Sequence, residues 1–388
     1  MTDAGALAGI RVVDVGSVVA GPWAATWLAD QGADVIMVEP VDRLDVMRRT
    51  GPMVDEQSGV WVQLNRNKRA MCVDLQQAAG REIVLKLVDE ADVFSQNMRP
   101  GVIERLGLGY DDLRRRVPDL VYLSVSGFGP DGPYADQPVY DPVIQALSGL
   151  ADVQNTDYVK SIAADKITAM TAANGVLAAL LARARGHGGQ HVEVNMLDAA
   201  ISWLWADGMW NHSIEGVDPV PTYSDWYAPY ETLDGAIACI FIDRSQFLGL
   251  LAALNAPHLA EDPRFATREA RVVNNNTMRQ VIAAEIAGWH RDELLARLRA
   301  NDVPSAPVLP RHQVADDPQV RHNGTVVDLT HDDGLRAKVI RSPVRLSATP
   351  TPPLRPAPDF GQHTDEILTD LGYGDADRAR LRADGVIG

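Results

Sequence analysis

The first half of this 388-residue chain alternates short apolar runs with helical patterns. It opens with the run IRVVDVG, a helical segment that starts at Pro22 and ends at Gly32, and a second run, ADVIMVEP. Further apolar runs follow at RAMCVDL, ADVFSQN and LVYLSVSGFG, with helical patterns between them. Strands that alternate with helices pair in parallel and are covered by helices on both faces, so this pattern predicts a doubly wound α/β domain.

The rest of the chain predicts a second, smaller domain. An Ala-rich helix is predicted over about 167–185, and a GHGGQ turn follows it. After Pro219 and Pro221 the pattern changes to short strands and then to helices. We predict a large Rossmann-like domain at 1–205, a linker at 206–225, a small α+β domain at 226–325, and a return segment at 326–388 that completes the large domain.

Composition and charge narrow the class of function. The chain has 36 basic and 52 acidic residues and a net charge of −16, which disfavours nucleic acid or an anionic membrane as the main partner. We find no apolar run of membrane-spanning length and no secretion-signal pattern, so we expect a cytoplasmic protein. Cys72 and Cys239 lie in apolar strand patterns as core residues do, and the nine scattered histidines show no metal-ligand spacing.

The first half of the sequence gives conflicting indications of nucleotide binding. Glu39 ends the second predicted strand, where a dinucleotide-binding fold holds a ribose, but Gly16 and Gly21 do not have the G-x-G-x-x-G spacing. The sequence therefore disfavours nicotinamide or flavin binding. Residues 41–120 carry 13 Lys plus Arg and 13 Asp plus Glu, a neutral segment that suits either a polyanionic small ligand or solvated helix faces.

Two carboxylates are candidates for chemistry. Asp165 lies at the start of the Ala-rich helix, where free backbone amides and the helix dipole should keep it ionised. An ionised carboxylate is a competent nucleophile toward a thioester, yet Asp at a helix start is also a common N-cap. Asp141, beside Tyr140 and Gln145 in YDPVIQALSGL, has the same two interpretations. The glycine-rich SGFGPDGPY turn is either an oxyanion-binding turn or a simple loop.

A series of stretches, in order along the chain, resembles the class III CoA-transferases, the family that includes formyl-CoA transferase, carnitine CoA-transferase and α-methylacyl-CoA racemase. In the first half they are LAGIRVVDVGSVVAGPWAATWLADQGADVIMVEP, LNRNKRAMCVDL, ADVFSQNMRPGVIERLGLGYDDL, YLSVSGFGPDGPY and YDPVIQALSGL. Later ones are GHGGQHVEVNMLDAA, YAPYETLDG, NDVPSAPVLP with DDPQV, and GQHTDEIL. The similarity covers nearly the whole chain, and the order of the motifs makes it specific.

The resemblance implies a function and a site. Asp165 falls where the family carries its catalytic aspartate, which implies CoA transfer from an acyl-CoA to a carboxylic acid through a covalent aspartyl-CoA thioester. Coenzyme A is then a substrate, and no cofactor or metal is expected. Asp141 and Tyr140 are the other catalytic candidates. The CoA-binding residues implied are Val18, Val19 and Ala20 along the pantetheine arm, and Asn67, Lys68, Arg69, Asn97, Met98, Arg99 and Arg105 at the nucleotide and its phosphates.

The resemblance also implies an obligate homodimer of two interlocked chains, and two departures from the family limit the function. Tyr140 stands where the racemases have His, and a phenol is a poor base near neutral pH, so racemisation is the second hypothesis and a catalytically idle CoA-binding scaffold is the third. CIFIDRSQF stands where the formyl and oxalate transferases have a run of glycines, which disfavours formate and oxalate. The candidate pocket residues for a larger, apolar acyl group are Trp203, Trp226, Tyr227 and Tyr230.

Overall fold

The computed structural model of the protein describes residues 5–54, 57–222, 227–331 and 334–388. The chain divides into two compact units, a large unit made of Met1–Leu204 and Gln319–Gly388 and a small unit made of Trp205–Pro318. Trp226, one of the predicted pocket residues, lies outside the described residues.

A six-stranded parallel sheet forms the centre of the large unit. Its strands in chain order are β1 (Arg11–Asp14), β2 (Asp34–Glu39), β3 (Arg69–Cys72), β4 (Val93–Gln96), β5 (Val121–Ser126) and β6 (His191–Asn195). Across the sheet they run β3, β2, β1, β4, β5, β6, and every neighbouring pair is parallel. The predicted parallel α/β sheet is confirmed, and its order reverses at β1 as in doubly wound folds.

Side chains of successive strand residues pack on opposite faces of this sheet. Val12 and Val35 belong to one apolar cluster, whereas Val13 and Ile36 belong to another. Each of the four is at most 1% exposed. Strand side chains alternate between faces, so a sheet that is apolar on both faces must be covered by helices on both. This explains why the strands appear in the sequence as continuous apolar runs and not as alternating ones.

The helices begin and end with recognisable local signals. In the small unit, the side chain of Asp243 accepts a hydrogen bond from the amide of Gln246 (2.8 Å), and that of Thr267 from the amide of Ala270 (3.1 Å). Such N-caps satisfy amides that have no partner inside the helix. The helices are α1 (Ala20–Ala29), α2 (Gly59–Leu64), α3 (Ala78–Asp89), α4 (Val102–Arg105), α5 (Tyr110–Arg116), α6 (Asp141–Ser148), α7 (Ala163–Ala182), α8 (Met196–Trp205), α9 (Arg244–Ala253), α10 (Arg268–Val273), α11 (Asn275–Ile286), α12 (Arg291–Ala300), α13 (Pro318–Asn323), α14 (Thr364–Asp370) and α15 (Asp375–Ala383).

The remaining strands form small antiparallel sheets. In the small unit, β7 (Tyr230–Thr232), β8 (Gly235–Cys239) and β9 (Ser305–Pro307) form a three-stranded sheet with β8 in the middle. In the large unit, β10 (Val326–Thr330) pairs with β11 (Arg336–Ile340), and Met53–Val54 pairs with Gln57–Ser58. The core of the small unit packs side chains of α9, α11 and α12 against this three-stranded sheet. Burial raises the pKa of Cys239 in β8 to about 12, which favours the protonated thiol near neutral pH.

The Ala-rich helix α7 starts earlier than predicted and continues through a π-type turn at Arg183–His187. By length and composition alone, the helix from Ala163 to His187 qualifies as a membrane span, so the expectation that no such stretch exists is wrong. Its small residues Ala169 and Ala172 are fully buried in the apolar cluster shared with α1. The core helix of a globular protein passes the same test, and the packing of α7 on α1 is of that kind.

The GHGGQ turn after α7 allows the chain to pack closely beside β5 before it begins β6. A Cβ atom at Gly189 would lie 2.3 Å from the carbonyl oxygen of Leu120, so only glycine fits there. Gly188 has a φ of +74°, a left-handed conformation that glycine adopts without strain. The turn thereby brings the chain from α7 back alongside β5 to begin β6.

Candidate active site

The structure brings the two candidate carboxylates together at the start of α7. Asp165 lies in the first turn of α7 and is half-buried, whereas Asp141 lies in the first turn of α6 and is only 3% exposed. The backbone amide of Asp165 donates a hydrogen bond to Oδ2 of Asp141 at 3.2 Å. Asp141 is therefore the side chain that caps α7, and the carboxylate of Asp165 is not used as a cap.

Gln145 holds this arrangement in place from one turn further along α6. Its Nε2 donates to Oδ1 of Asp141 and to the carbonyl oxygens of Val159 (3.2 Å) and Ser161 (3.1 Å). Its Oε1 accepts a hydrogen bond from the amide of Val159 at 2.9 Å. Gln145 was expected only as a neighbour of Asp141, although residues four apart share one face of a helix and this spacing could have predicted its role.

The ionisation of Asp165 differs from the expectation. Burial, and after it the negative charge of Asp141, raises the pKa of Asp165 to about 7. The prediction that helix amides keep this carboxylate ionised is wrong, because the amide of Asp165 is already bonded to Asp141 and burial is the largest cause of the raised pKa. Near neutral pH the group exists in both protonation states, as is typical of groups that act as nucleophiles or bases.

The start of α7 lies next to the start of α1. Lys166 places its Nζ 5.5 Å from the ring centroid of Trp23 and donates a hydrogen bond to Oγ of Ser161 (2.8 Å). The indole Nε1 of Trp23 is buried and has no hydrogen-bond partner in the described part of the chain. Since α1 follows β1 directly, these contacts place Asp165 near the loop that leaves β1.

The loops after β1 and β4 form the crevice at which the strand order reverses. In open α/β sheets, ligands bind outside the carboxyl ends of the strands at this point. Asn97, which follows β4, accepts a hydrogen bond from the amide of Ser17 (2.8 Å) and donates one to its carbonyl oxygen (2.7 Å). A Cβ atom at Gly21 would lie 3.2 Å from Cγ of Asn97, so a small residue there preserves this clamp.

Val18 occupies a strained position in this crevice. Its φ is +67°, which is unusual for a β-branched residue and is found mainly where a site over-determines the backbone. Its amide donates a hydrogen bond to Oδ2 of Asp45 at 2.9 Å. Val19 and Ala20, the other predicted pantetheine contacts, are buried in the core. Of the three predicted pantetheine contacts, only Val18 is not fully buried.

Two of the predicted phosphate ligands lie inside the fold. Lys68 is 2% exposed, and its Nζ donates to the carbonyl oxygen of Pro22 (2.7 Å) and to side-chain oxygens of Asn65 and Asp14. Burial lowers the pKa of Lys68. Asn67 is equally buried and donates to Oδ1 of an internal carboxylate, that of Asp30. These contacts correct the expectation for both residues, because neither polar group is available to a phosphate.

The other predicted nucleotide contacts differ in their environment. Arg69 binds Asp34 (2.6 Å) and Glu366 (3.1 Å) through its guanidinium, so its charge is already paired. Met98 is half-buried beside the core of the large unit. Arg99 and Arg105 are exposed and make no ion pair within the described ranges. They remain the candidates for phosphates.

Three further candidates occupy separate places. Tyr140 directly precedes α6 and is 70% exposed. Glu39 is buried and binds Arg48 through both carboxylate oxygens (2.9 and 2.7 Å), so it is not available to a ribose. Trp203 is an exposed residue of α8. Among the described residues, no group of three or more His, Cys, Asp or Glu side chains is arranged to hold a metal ion.

A family model, related proteins and a solved structure each match most of this chain. CoA-transferase family III matches residues 7–364. The succinate–glutarate CoA-transferase of Agrobacterium fabrum is 35% identical and covers 94% of this chain and 95% of its own length. The succinyl-CoA:glutarate CoA-transferase of Homo sapiens is 30% identical and covers 98% and 90%, respectively. A CaiB/BaiF family protein from Brucella suis has a TM-score of 0.83 at 31% identity, covering 95% of this chain and 100% of its own.

Proposed function

We propose that Asp165 is the nucleophile of this chain, which belongs to CoA-transferase family III and is a CoA-transferase that acts on acyl-CoA and carboxylate substrates. One observation carries the proposal: Asp165 is a half-buried carboxylate that its own helix does not use as a cap. A carboxylate with a pKa of about 7 is ionised often enough to attack near neutral pH, and it is more basic than an exposed one.

The proposed cycle has four acyl-transfer steps, and in each step one acyl bond breaks as another forms. The Asp165 carboxylate attacks the thioester carbonyl of the donor, which gives an acyl-aspartyl anhydride and releases CoA thiolate. The thiolate attacks the aspartyl carbonyl, giving an aspartyl-CoA thioester and freeing the first acid. The carboxylate of the second acid attacks that thioester, and thiolate leaves again. The thiolate finally attacks the acyl carbonyl of the new anhydride, which yields the new acyl-CoA and restores Asp165.

Asp141 and Gln145 act in this scheme as positioning residues. Asp141 fixes the first turn of α7 through the amide of Asp165, and its charge raises the pKa of the nucleophile. Gln145 fixes Asp141 and the segment before α7. Holding the nucleophile in one place converts a bimolecular attack into an effectively intramolecular one once the thioester is bound.

Coenzyme A is proposed to bind at the crevice between β1 and β4. The clamp between Asn97 and Ser17, and the strained Val18, support a pre-formed path for the pantetheine arm. Arg99 and Arg105 are the exposed, unpaired cations next to β4 and suit the phosphates. The exchange neither oxidises nor reduces a reactant, and it needs no Lewis acid. We therefore propose that neither a metal nor a redox cofactor takes part.

We also propose that the active form is the homodimer implied by the resemblance. Val143 and Leu147 are exposed on one face of α6, Tyr140 is exposed directly before that helix, and Met170 and Leu181 are exposed on α7. Apolar side chains at this spacing form a stripe, and monomeric proteins rarely leave such surface in water. Native mass spectrometry of the purified chain tests this: a dimer peak that persists on dilution is expected, and a monomer would contradict it.

Covalent trapping tests the transfer itself. The protein is incubated with a panel of acyl-CoAs and hydroxylamine, which converts an aspartyl thioester or anhydride to a stable hydroxamate, and intact and peptide masses are then measured. A small mass gain that maps to Asp165 and is absent from Asp165→Asn is expected. No adduct, together with exchange of the acyl α-proton in deuterated water, would replace the proposal with racemisation. CoA binding with neither signal would favour a scaffold.

A further inference from the structure

A hydrogen-bond relay of three side chains, His191, Ser124 and Gln96, crosses the large sheet from β6 to the loop after β4. Nε2 of His191 lies 2.8 Å from Oγ of Ser124, and that oxygen accepts a hydrogen bond from Nε2 of Gln96 at 3.0 Å. Oε1 of Gln96 in turn accepts a hydrogen bond from the amide of Met98 at 2.8 Å. Gln96 and Ser124 are directly paired in the sheet, so the strand register aligns the relay.

The backbone amide of Met98 fixes the direction of the relay. A backbone N–H can only donate, so Gln96 must turn its carbonyl oxygen to that amide and its NH2 group to Ser124. The Ser124 hydroxyl thereby accepts one hydrogen bond and still has its own proton to donate. Within the described part of the chain, Nε2 of His191 is the acceptor in reach. A neutral His191 therefore carries its ring proton on Nδ1.

The surroundings of His191 favour the neutral ring that this direction requires. The ring stacks on Tyr110 with the centroids 4.5 Å apart, and it lies edge-on to Tyr122 at 5.2 Å. Burial lowers the pKa of His191, because a charged imidazolium loses its hydration there. This effect exceeds the opposing attraction of the nearby carboxylates of β6, α5 and α4, which are those of Glu193, Asp111 and Glu104.

The relay ends on the loop to which coenzyme A is proposed to bind. Gln96 and Met98 flank Asn97, and the side chain of Asn97 makes both hydrogen bonds to Ser17 in the loop after β1. Gln96 is 6% exposed, so water does not readily replace its bond to the Met98 amide. The hydrogen bond between Gln96 and Met98 therefore helps to fix the backbone that carries Asn97.

We infer that His191 acts through Ser124 and Gln96 as a positioning residue for the CoA-binding loop after β4, and that protonation of its ring weakens CoA binding. An imidazolium donates from Nε2, so the Ser124 hydroxyl would receive two hydrogen bonds and its own proton would lose its acceptor. Turning the Gln96 amide around would restore an acceptor but would set its NH2 group against the N–H of Met98. The inference rests on the proposed function, which assigns coenzyme A to this crevice.

Two substitutions at His191 separate positioning from packing. In His191→Gln, the amide oxygen can accept the hydrogen bond from Ser124 and has no ionisable proton near neutral pH, but the stacking on Tyr110 is lost. In His191→Phe, the stacking is kept and the acceptor is lost. Calorimetry with free CoA at about pH 8, where histidine is neutral, should give a dissociation constant close to the wild-type value for His191→Gln. For His191→Phe it should be about threefold to tenfold higher, as the loss of one ordinary hydrogen bond implies.

The pH dependence is compared with that of His191→Gln, because titration of the CoA phosphates affects both proteins alike. The pH is lowered from about 8 to below the pKa of His191, which NMR of the ring measures. Over this range the wild type should lose affinity relative to His191→Gln and approach His191→Phe, and a constant ratio would contradict the effect of protonation. The matched control is His187→Gln, at an exposed histidine shortly before β6, which should behave as the wild type does.

Amide hydrogen exchange at Met98 tests the relay without a ligand. Protection of this amide should fall in His191→Phe and persist in His191→Gln. Wild-type CoA affinity and Met98 protection in a folded His191→Phe would overturn the inference. Weaker CoA binding by His191→Gln than by His191→Phe would do the same, since packing alone gives that order. If a His191 variant does not fold, as judged by its thermal transition, Ser124→Ala breaks the same relay and should weaken CoA binding as His191→Phe does.

The inference and the proposed function can fail separately. A hydroxamate on Asp165, with a CoA affinity that does not depend on His191, retains the transfer mechanism and removes His191 as a positioning residue. Met98 protection that depends on His191, in a protein that does not bind CoA, retains the relay as the support of this loop and removes the crevice as the CoA site.

Discussion

The amide of Asp165 donates its hydrogen bond to the carboxylate of Asp141, 3.2 Å away, and not to its own side chain. This single contact joins α6 to α7 and leaves the carboxylate of Asp165 free for chemistry. It also sets the two negative groups close enough that the charge of Asp141 contributes to the raised pKa of Asp165.

Asp165→Asn should stabilise the protein at high pH only. The pKa of Asp165 is about 7 in the folded state, whereas its ordinary value in an unfolded chain is 3.8, so the wild type loses stability as the pH rises from about 4 to about 7. Asn cannot ionise and avoids that loss. The gain in free energy of unfolding at pH 8 is expected to be at most about 4 kcal/mol, and near zero at pH 4. Urea unfolding at both pH values measures it, with Asp152→Asn as the exposed control.

Asp141→Asn should move the acid limb of the pH–rate profile to lower pH. The substitution removes the charge that helps to raise the pKa of Asp165, while the amide oxygen of Asn can still accept the hydrogen bond from the helix. The measurement is kcat/KM against pH for the donor that gives a hydroxamate. Asp141→Ala removes the hydrogen bond as well and should lower the rate at every pH. An unshifted limb in Asp141→Asn would contradict the electrostatic link.

Gln145→Leu should loosen the segment before α7. The substitution removes hydrogen bonds to Asp141, Val159 and Ser161 and leaves a buried carboxylate oxygen with one partner fewer. We expect a loss of about 1–3 kcal/mol in the free energy of unfolding and a fall in kcat that exceeds any change in KM. Chemical denaturation and steady-state kinetics measure the two effects. Full kcat in a destabilised variant would limit Gln145 to a role in folding.

Asn97→Ala should weaken CoA binding. The side chain joins the loops after β1 and β4 through two hydrogen bonds to Ser17, and without them the crevice has to be ordered by the ligand. The dissociation constant for free CoA is expected to rise about tenfold, as the loss of two ordinary hydrogen bonds implies. Asn97→Asp keeps the hydrogen bond from the Ser17 amide, so its dissociation constant should lie between those of the wild type and of Asn97→Ala. Calorimetry measures the dissociation constant of all three proteins. Equal dissociation constants would exclude a role of the Asn97–Ser17 hydrogen bonds in CoA binding.

Glu39→Gln should destabilise the large unit without altering ligand binding. Glu39 and Arg48 form a buried, two-pronged ion pair, and removing one charge leaves the other unpaired in the core. The expected cost is about 3–5 kcal/mol in the free energy of unfolding. The control is Asp89→Asn at the exposed pair with Arg116, where the expected cost is below about 1 kcal/mol. Equal costs would mean that burial of the first pair has no energetic weight.

The architecture was predictable because it follows from local pattern. Val12 and Val13 are adjacent and both apolar, which indicates a strand buried on two faces, and several such runs separated by helices leave few arrangements other than a parallel sheet. The two carboxylates could be named for a similar reason, since each stands at the beginning of a helical pattern. That Gln145 would hold one of them was also readable from its spacing, four residues after Asp141.

Local sequence patterns could not identify the partner of each charged side chain. Lys68 stands in a basic motif that suggests phosphate binding, but it turns inward to Asp14, which is 54 positions earlier in the chain and adjacent only after β1 and β3 join one sheet. The ionisation of Asp165 is a second case. A helix start by itself lowers the pKa of a carboxylate, whereas burial and Asp141 raise it. The sequence alone determined the secondary structure, the kind of sheet and the residues able to do chemistry. Their protonation and availability were set by the tertiary structure, because desolvation and Coulomb interactions depend on distances that only folding creates.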